Sequence, residues 1–235
     1  MTHWDQRADG YDAVMTPDPA MAALRAAVVG QVPAGSRRIL DLGTGTGALL
    51  RLLRSDHPEA ELVGLDPSAR MLAESRGAFA GDERTRFIQA SAHAIPLPDG
   101  WADAVVSNFA LHHLTHPEKK ICAHELFRVL RPGGVAVLGD QFCHRIGTPG
   151  DPDWVAEMFD LLAAKARHYL RTAGIARMLL QVELMPRFLR ADGELPVPVD
   201  FWTDALTAAG FATPRVLVMD PPALLHRVVV ATRPE

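Results

Sequence analysis

Apolar and polar positions along this chain alternate between two rhythms. Short, nearly continuous apolar runs occur at Arg38 to Leu42, Glu61 to Leu65, Arg86 to Ala90, Asp103 to Ser107 and Val135 to Gly139, and their length and composition predict buried strands. Between them, helical periodicity begins at Ala48 to Leu53 and recurs over Ser68 to Ala80 and Pro117 to Leu130. Strands that alternate with helices in this way predict a mainly parallel sheet covered on both faces. The fold class expected is α/β: a doubly wound, Rossmann-like, mainly parallel sheet of seven strands.

The alternation breaks after Asp140. Asp151-Pro152 starts a helix well, because aspartate caps free amides and proline suits the first helical position. Val155, Phe159, Leu162, Ala166 and Tyr169 then fall on one stripe, and Ile175, Met178, Leu179 and Val182 on a second, predicting two helices that end near Pro186. Residues 141–199 therefore read as a helical insertion before the last strand pair, serving as a lid or as a contact between two copies in a homodimer. After Leu195-Pro196-Val197-Pro198 come a helix at Phe201 to Ala209 and strands near Arg215 to Met219 and His226 to Ala231. At the other end, residues 1–31 are polar and then helical through Met21, Leu24, Val28 and Val29, forming an N-terminal helical cap on a single domain, 1–235.

Composition narrows the function classes. Hydrophobic residues make up 48% and charged residues 22% of 235, as in ordinary globular proteins. No apolar run reaches the ~20 residues of a membrane span. Asp5, Asp9 and Asp12 stand where an export signal would be basic, and the two cysteines, Cys122 and Cys143, form no Cys-x-x-Cys, so a cytoplasmic location is expected. The net charge of -4, without a basic run, disfavours nucleic acid and leaves a small molecule as the expected partner.

The chemistry gathers at Asp41-Leu42-Gly43-Thr44-Gly45-Thr46-Gly47-Ala48, where alternating glycines between strand and helix let backbone approach a ligand. Two cofactors compete for this loop, since Gly43, Gly45 and Ala48 also satisfy the dinucleotide fingerprint. Charge separates them: a pyrophosphate would be repelled by Asp41, whereas the ammonium and sulfonium of S-adenosylmethionine would be attracted. Asp66, at the end of the second strand, suits a ribose diol for either cofactor, and can also cap the helix that follows.

These residues resemble a known family. Ile39 to Gly47 looks like the first motif of class I S-adenosylmethionine-dependent methyltransferases, and Leu62 to Ser68 with Met71-Leu72 looks like the second. Ala90 to Asp103, Val105 to Leu114 and Glu125 to Gly134 are similar to later motifs in the same order, and Trp4 to Asp12, with Tyr11, to an amino-terminal element of the small-molecule (ubiquinone/menaquinone-type) branch. The resemblance implies that Asp41, Gly43, Gly45, Gly47 and Asn108 surround the methionine part, and that Tyr11 and Thr44 also bind the cofactor. It assigns Asp66 to the ribose, Pro67 and Met71 to the adenine faces, and Ser91 and Ala92 to the adenine edge, with a hydroxyl at Ser91 where many members carry an acid.

Ligands of open parallel sheets bind beyond the carboxyl ends of the strands, so Asn108 to His113 and Asp140 to His144 are the expected acceptor-side residues. Methyl transfer is an in-line displacement that needs positioning, and a base only if the acceptor must lose a proton. His113 is the first candidate for that base and His144 the second. His112, His113 and His116 lack a firm metal-ligand spacing, and no metal is expected. The function expected is transfer of a methyl group to a small organic acceptor. The alternatives are a non-catalytic adenosyl-ligand binder or regulatory protein, and an NAD(P)-dependent oxidoreductase.

Overall fold

The computed structural model describes residues 18–235; Tyr11 and the Trp4 to Asp12 element lie outside the described residues. The elements are α1 (Pro19–Val29), β1 (Arg38–Leu42), α2 (Ala48–Asp56), β2 (Glu61–Asp66), α3 (Ala69–Ala78), β3 (Thr85–Gln89), β4 (Ala102–Asn108), α4 (His116–Val129) and β5 (Leu130–Gln141). The chain continues through α5 (Pro152–Thr172), α6 (Gly174–Leu189), α7 (Val199–Ala209), β6 (Arg215–Val218) and β7 (His226–Thr232). The seven strands form one sheet in the order β3-β2-β1-β4-β5-β7-β6. Only β7 runs against its neighbours, pairing antiparallel with β5 and β6. The expected doubly wound α/β architecture is therefore present, with its antiparallel strand near one edge.

Each sheet face is buried under its own apolar layer. On one side Leu24 and Val28 of α1 and Leu50 and Leu53 of α2 pack on Ile39, Val106 and Val137. On the other, Leu126 of α4 and Trp202 and Leu206 of α7 pack on Leu40, Val105 and Ala136. Thus α1 is a layer of the core, not a cap added to it. Its start is set by Asp18, whose Oδ1 accepts from the amides of Ala20 and Met21. Strand order reverses between β1, which pairs with β2, and β4, and Ser107 Oγ donates to the Leu42 carbonyl (2.8 Å) to tie those two strands together at their carboxyl ends.

The insertion folds as a hairpin of α5 and α6 with a small core of its own, built from Trp154, Met158, Leu162, Leu184 and Phe188. Asp151 caps α5 through the amides of Asp153 and Trp154, as its sequence suggests. Two expectations are corrected. The second helix passes Pro186 and ends at Leu189, because a proline so close to the end interrupts only the final turn. The stripe chosen for that helix is also largely outside: Ile175, Leu179 and Val182 are 63%, 54% and 45% exposed, while Arg177, Gln181, Leu184 and Phe188 are buried. Among the described residues, no helix is long and apolar enough to cross a membrane.

Candidate active site

A cleft of about 370 Å³ opens at the carboxyl edge of the sheet, beside the point where strand order reverses. Its floor is the glycine loop. The amides of Gly43 and Thr44 donate to the Leu65 carbonyl (2.7 and 3.1 Å), and the Gly45 amide donates to Asp66 Oδ2 (2.9 Å). These bonds bend the chain tightly over the end of β2. Gly43 has φ +69°, and a Cβ there would come within 2.2 Å of Ala110 Cβ. Gly45 has φ +54° and faces open space, so its backbone can meet a ligand directly.

Three buried oxygens in this cleft have no hydrogen-bond partner among the described residues: Asp41 Oδ2, Thr44 Oγ1 and Asn108 Oδ1. Burial pushes the Asp41 carboxyl up to about 7, against the opposing Thr44 side chain and with help from the negative Asp66. An acid so placed gains from an incoming cation. Asp66 is already engaged, its Oδ1 accepting from the Ser68 amide (2.8 Å) and its Oδ2 from Gly45. Helix α3 is capped by Ser68, whose Oγ accepts from Met71 N (3.2 Å), and not by Asp66. A carboxylate has about four lone-pair positions, so both amides leave capacity for a diol.

Asp41, Gly43, Thr44, Gly45, Asp66, Pro67, Met71, Ser91, Ala92, Asn108 and His113 all line the cleft. Gly47 does not; at φ +82° it begins α2, and a Cβ there would press on Ser75 and Phe79. His144 is exposed and stays outside the cleft, because Phe142 and Cys143 take the buried positions after β5. On one wall of the cleft, Ser91 Oγ lies 2.8 Å from His93 Nδ1, and His93 faces Glu118 at 3.7 Å. His93 and Glu118 line the cleft too, and no sequence signal singled them out.

The adjacent histidines diverge in role. His112 is buried, its Nδ1 2.6 Å from Asp140 Oδ1 and its Nε2 3.3 Å from Glu194 Oε2. Burial opposes a charge there, but the two carboxylates prevail and raise this imidazole to about 9. His113 Nδ1 lies 2.8 Å from the Gly193 carbonyl, and burial together with the charged His112 lowers His113 to about 4. The donor atoms of His112, His113 and Glu194 lie within 4.8 Å of one another. His116 sits apart from them, its ring 5.7 Å from that of Phe201.

Residues 39–134, which contain the loop, Asp41, Asp66, Asn108 and His113, match the methyltransferase domain family. That stretch is thus similar to a methyltransferase domain. Solved structures with the same fold include SAM-dependent methyltransferases. A SAM-dependent methyltransferase from Thermotoga maritima superposes with a TM-score of 0.66 at 16% identity, covering 99% of this chain and 100% of that one. Human N-acetylserotonin methyltransferase, solved with SAM, gives 0.63 at 16%, covering 99% and 56%. Among curated relatives, demethylmenaquinone methyltransferase of Thermus thermophilus is 46% identical over 103 residues, 43% of this chain and 46% of the relative. Malonyl-[acyl-carrier protein] O-methyltransferase of Enterobacter lignolyticus is 41% identical over 98 residues, 42% of this chain and 36% of the relative. The chain thus spans about half or less of the length of the curated relatives it matches.

Proposed function

We propose that this chain transfers the methyl group of S-adenosylmethionine to a small organic acceptor. The observation that carries the reading is the placement of two unpartnered buried oxygens, Asp41 Oδ2 and Asn108 Oδ1, beside a glycine cradle in a stretch similar to a methyltransferase domain. They fit a cofactor whose amino-acid end presents an ammonium, and Asp41 disfavours a pyrophosphate at the same place. That fit argues against the NAD(P)-dependent oxidoreductase reading.

The cofactor supplies an activated methyl group on a sulfonium. Asp41 and Asn108 would hold its ammonium, Asp66 its ribose diol, Pro67 and Met71 its adenine faces, and Ser91 and Ala92 the adenine edge. His113, on the cleft wall, would orient the acceptor or take up its proton in an in-line displacement. The relatives named above act, by their names, on a quinone precursor and on a protein-bound malonyl group, yet each match spans only about 100 residues. We therefore assign the choice of acceptor to residues 141–199, acting as a lid, and the exposed Ile175, Leu179 and Val182 to contact with a second copy.

The test is calorimetry with S-adenosylmethionine and S-adenosylhomocysteine, followed by turnover against a metabolite panel. Binding of both is expected, and Asp66→Ala should weaken both equally, by roughly 1.5 to 3 kcal/mol for the lost charge-assisted hydrogen bonds. Unchanged affinity in the variant would refute the ribose assignment, and binding without transfer to any acceptor would favour a non-catalytic binder.

A further inference from the structure

Behind the cleft lies a second, smaller cavity of about 30 Å³, between the sheet edge and α6. It shares Phe109 and His113 with the cleft, so the two spaces adjoin. Phe109 is held at φ +54°, in the left-handed region that non-glycine residues seldom occupy, which marks this wall as a constrained one.

The inner cavity is rich in donors. Arg177 is only 3% exposed and its guanidinium lies over the Tyr169 ring at 3.7 Å. Its Nε makes no hydrogen bond but is ion-paired with the buried Asp18 at 3.4 Å, whose other oxygen caps α1. Gln181, one turn further along the same face of α6, is 4% exposed, and its Nε2 has no partner either. The Gln141 side-chain Oε1 accepts from Lys165 Nζ at 2.8 Å. The other carboxylates nearby, Asp140 and Glu194, face His112 from either side. A guanidinium carries five donors and an amide two, and the Glu194 carboxylate shares the cavity wall with them.

We propose that Arg177 and Gln181 form a subsite for an oxyanion of the methyl acceptor, a carboxylate or phenolate carried on an apolar frame. The volume supports this division. About 30 Å³ accommodates one or two oxygens and no ring. The acceptor's body therefore remains in the cleft against Phe109 and His113, while its oxygens reach through to α6. The subsite rests on the methyl-transfer reading for the word acceptor, but its anion preference stands or falls separately.

The experiment titrates benzoate, benzyl alcohol and benzylamine into protein saturated with S-adenosylhomocysteine, read by ligand-observed NMR and calorimetry. Benzoate should bind, and more tightly than the other two. Arg177→Met and Gln181→Leu should each weaken it roughly 10- to 100-fold, as expected for charge-assisted hydrogen bonds, with S-adenosylhomocysteine affinity unchanged. Should Arg177→Met fail to fold, Gln181→Leu, of nearly equal volume, carries the test. Benzoate binding no tighter than benzyl alcohol, or equally to wild type and Gln181→Leu, overturns the subsite. Selective benzoate binding in a protein that takes up no S-adenosylhomocysteine would overturn the methyl-transfer reading and leave the anion site standing.

Discussion

The His113 ring is held by the segment that closes the helical insertion: its Nδ1 lies 2.8 Å from the carbonyl oxygen of Gly193. A carbonyl only accepts, so Nδ1 carries the proton and the basic lone pair belongs to Nε2. The same segment is tied again where the Leu195 amide donates to the His112 carbonyl (3.0 Å). The insertion that we link to acceptor choice is thereby joined to the residue that we assign to acceptor chemistry.

If His113 accepts the acceptor's proton, His113→Ala should lower kcat by about 10²-fold while leaving S-adenosylmethionine affinity unchanged. With the imidazole lowered to about 4, the wild-type rate should stay level down to about pH 5 and fall only below it. A limb near the ordinary imidazole value would contradict that neutral state. A rise in KM with kcat intact would make His113 a clamp, and His113→Gln, which bonds but takes up no proton at neutral pH, distinguishes the two roles.

Asp41 links cofactor binding to protons. Its carboxyl, raised to about 7, is partly protonated near neutrality, and an approaching cation favours the ionised form. Binding of S-adenosylmethionine at pH 6.5 should therefore release a fraction of one proton, measurable as a difference in binding heat between buffers of unlike ionisation enthalpy. Because the folded carboxyl holds its proton above the unfolded value of 3.8, stability without cofactor falls as pH rises from about 4 to about 7. Asp41→Asn should abolish that slope and stabilise the protein at pH 8 by up to about 4 kcal/mol. It should also cost the sulfonium cofactor more affinity than its thioether product. Identical buffer heats, or an unchanged pH slope in the variant, would show that Asp41 is ionised throughout.

The apolar stripe on the outside of α6 gives a third expectation. Ile175, Leu179 and Val182 each forgo roughly 1.5 to 3 kcal/mol that full burial would supply, and a second copy offers the same stripe in return. Sedimentation velocity should find the wild type at twice 25.6 kDa and Leu179→Glu at the single mass. A wild type that sediments as one chain at tens of micromolar removes the pairing.

The α/β alternation, the glycine loop, Asp41, Asp66 and Asn108 were legible from the chain alone, because strand ends, tight turns and their adjoining acids are local patterns whose spacing is set by backbone geometry. His113 was legible by its place after β4, although the pull of His112 and burial on its proton affinity was not. Only the tertiary structure showed that His144 faces outward, that Gly47 serves helix packing, and that Arg177, Gln181 and Glu194 turn inward. The α6 stripe failed as a guide for a physical reason. Periodicity reports which face is apolar, and a helix ordinarily buries that face; here Arg177 and Asp18, far apart in sequence, meet at 3.4 Å and accompany the polar face inward. Contacts between residues so distant in the chain leave no spacing to read.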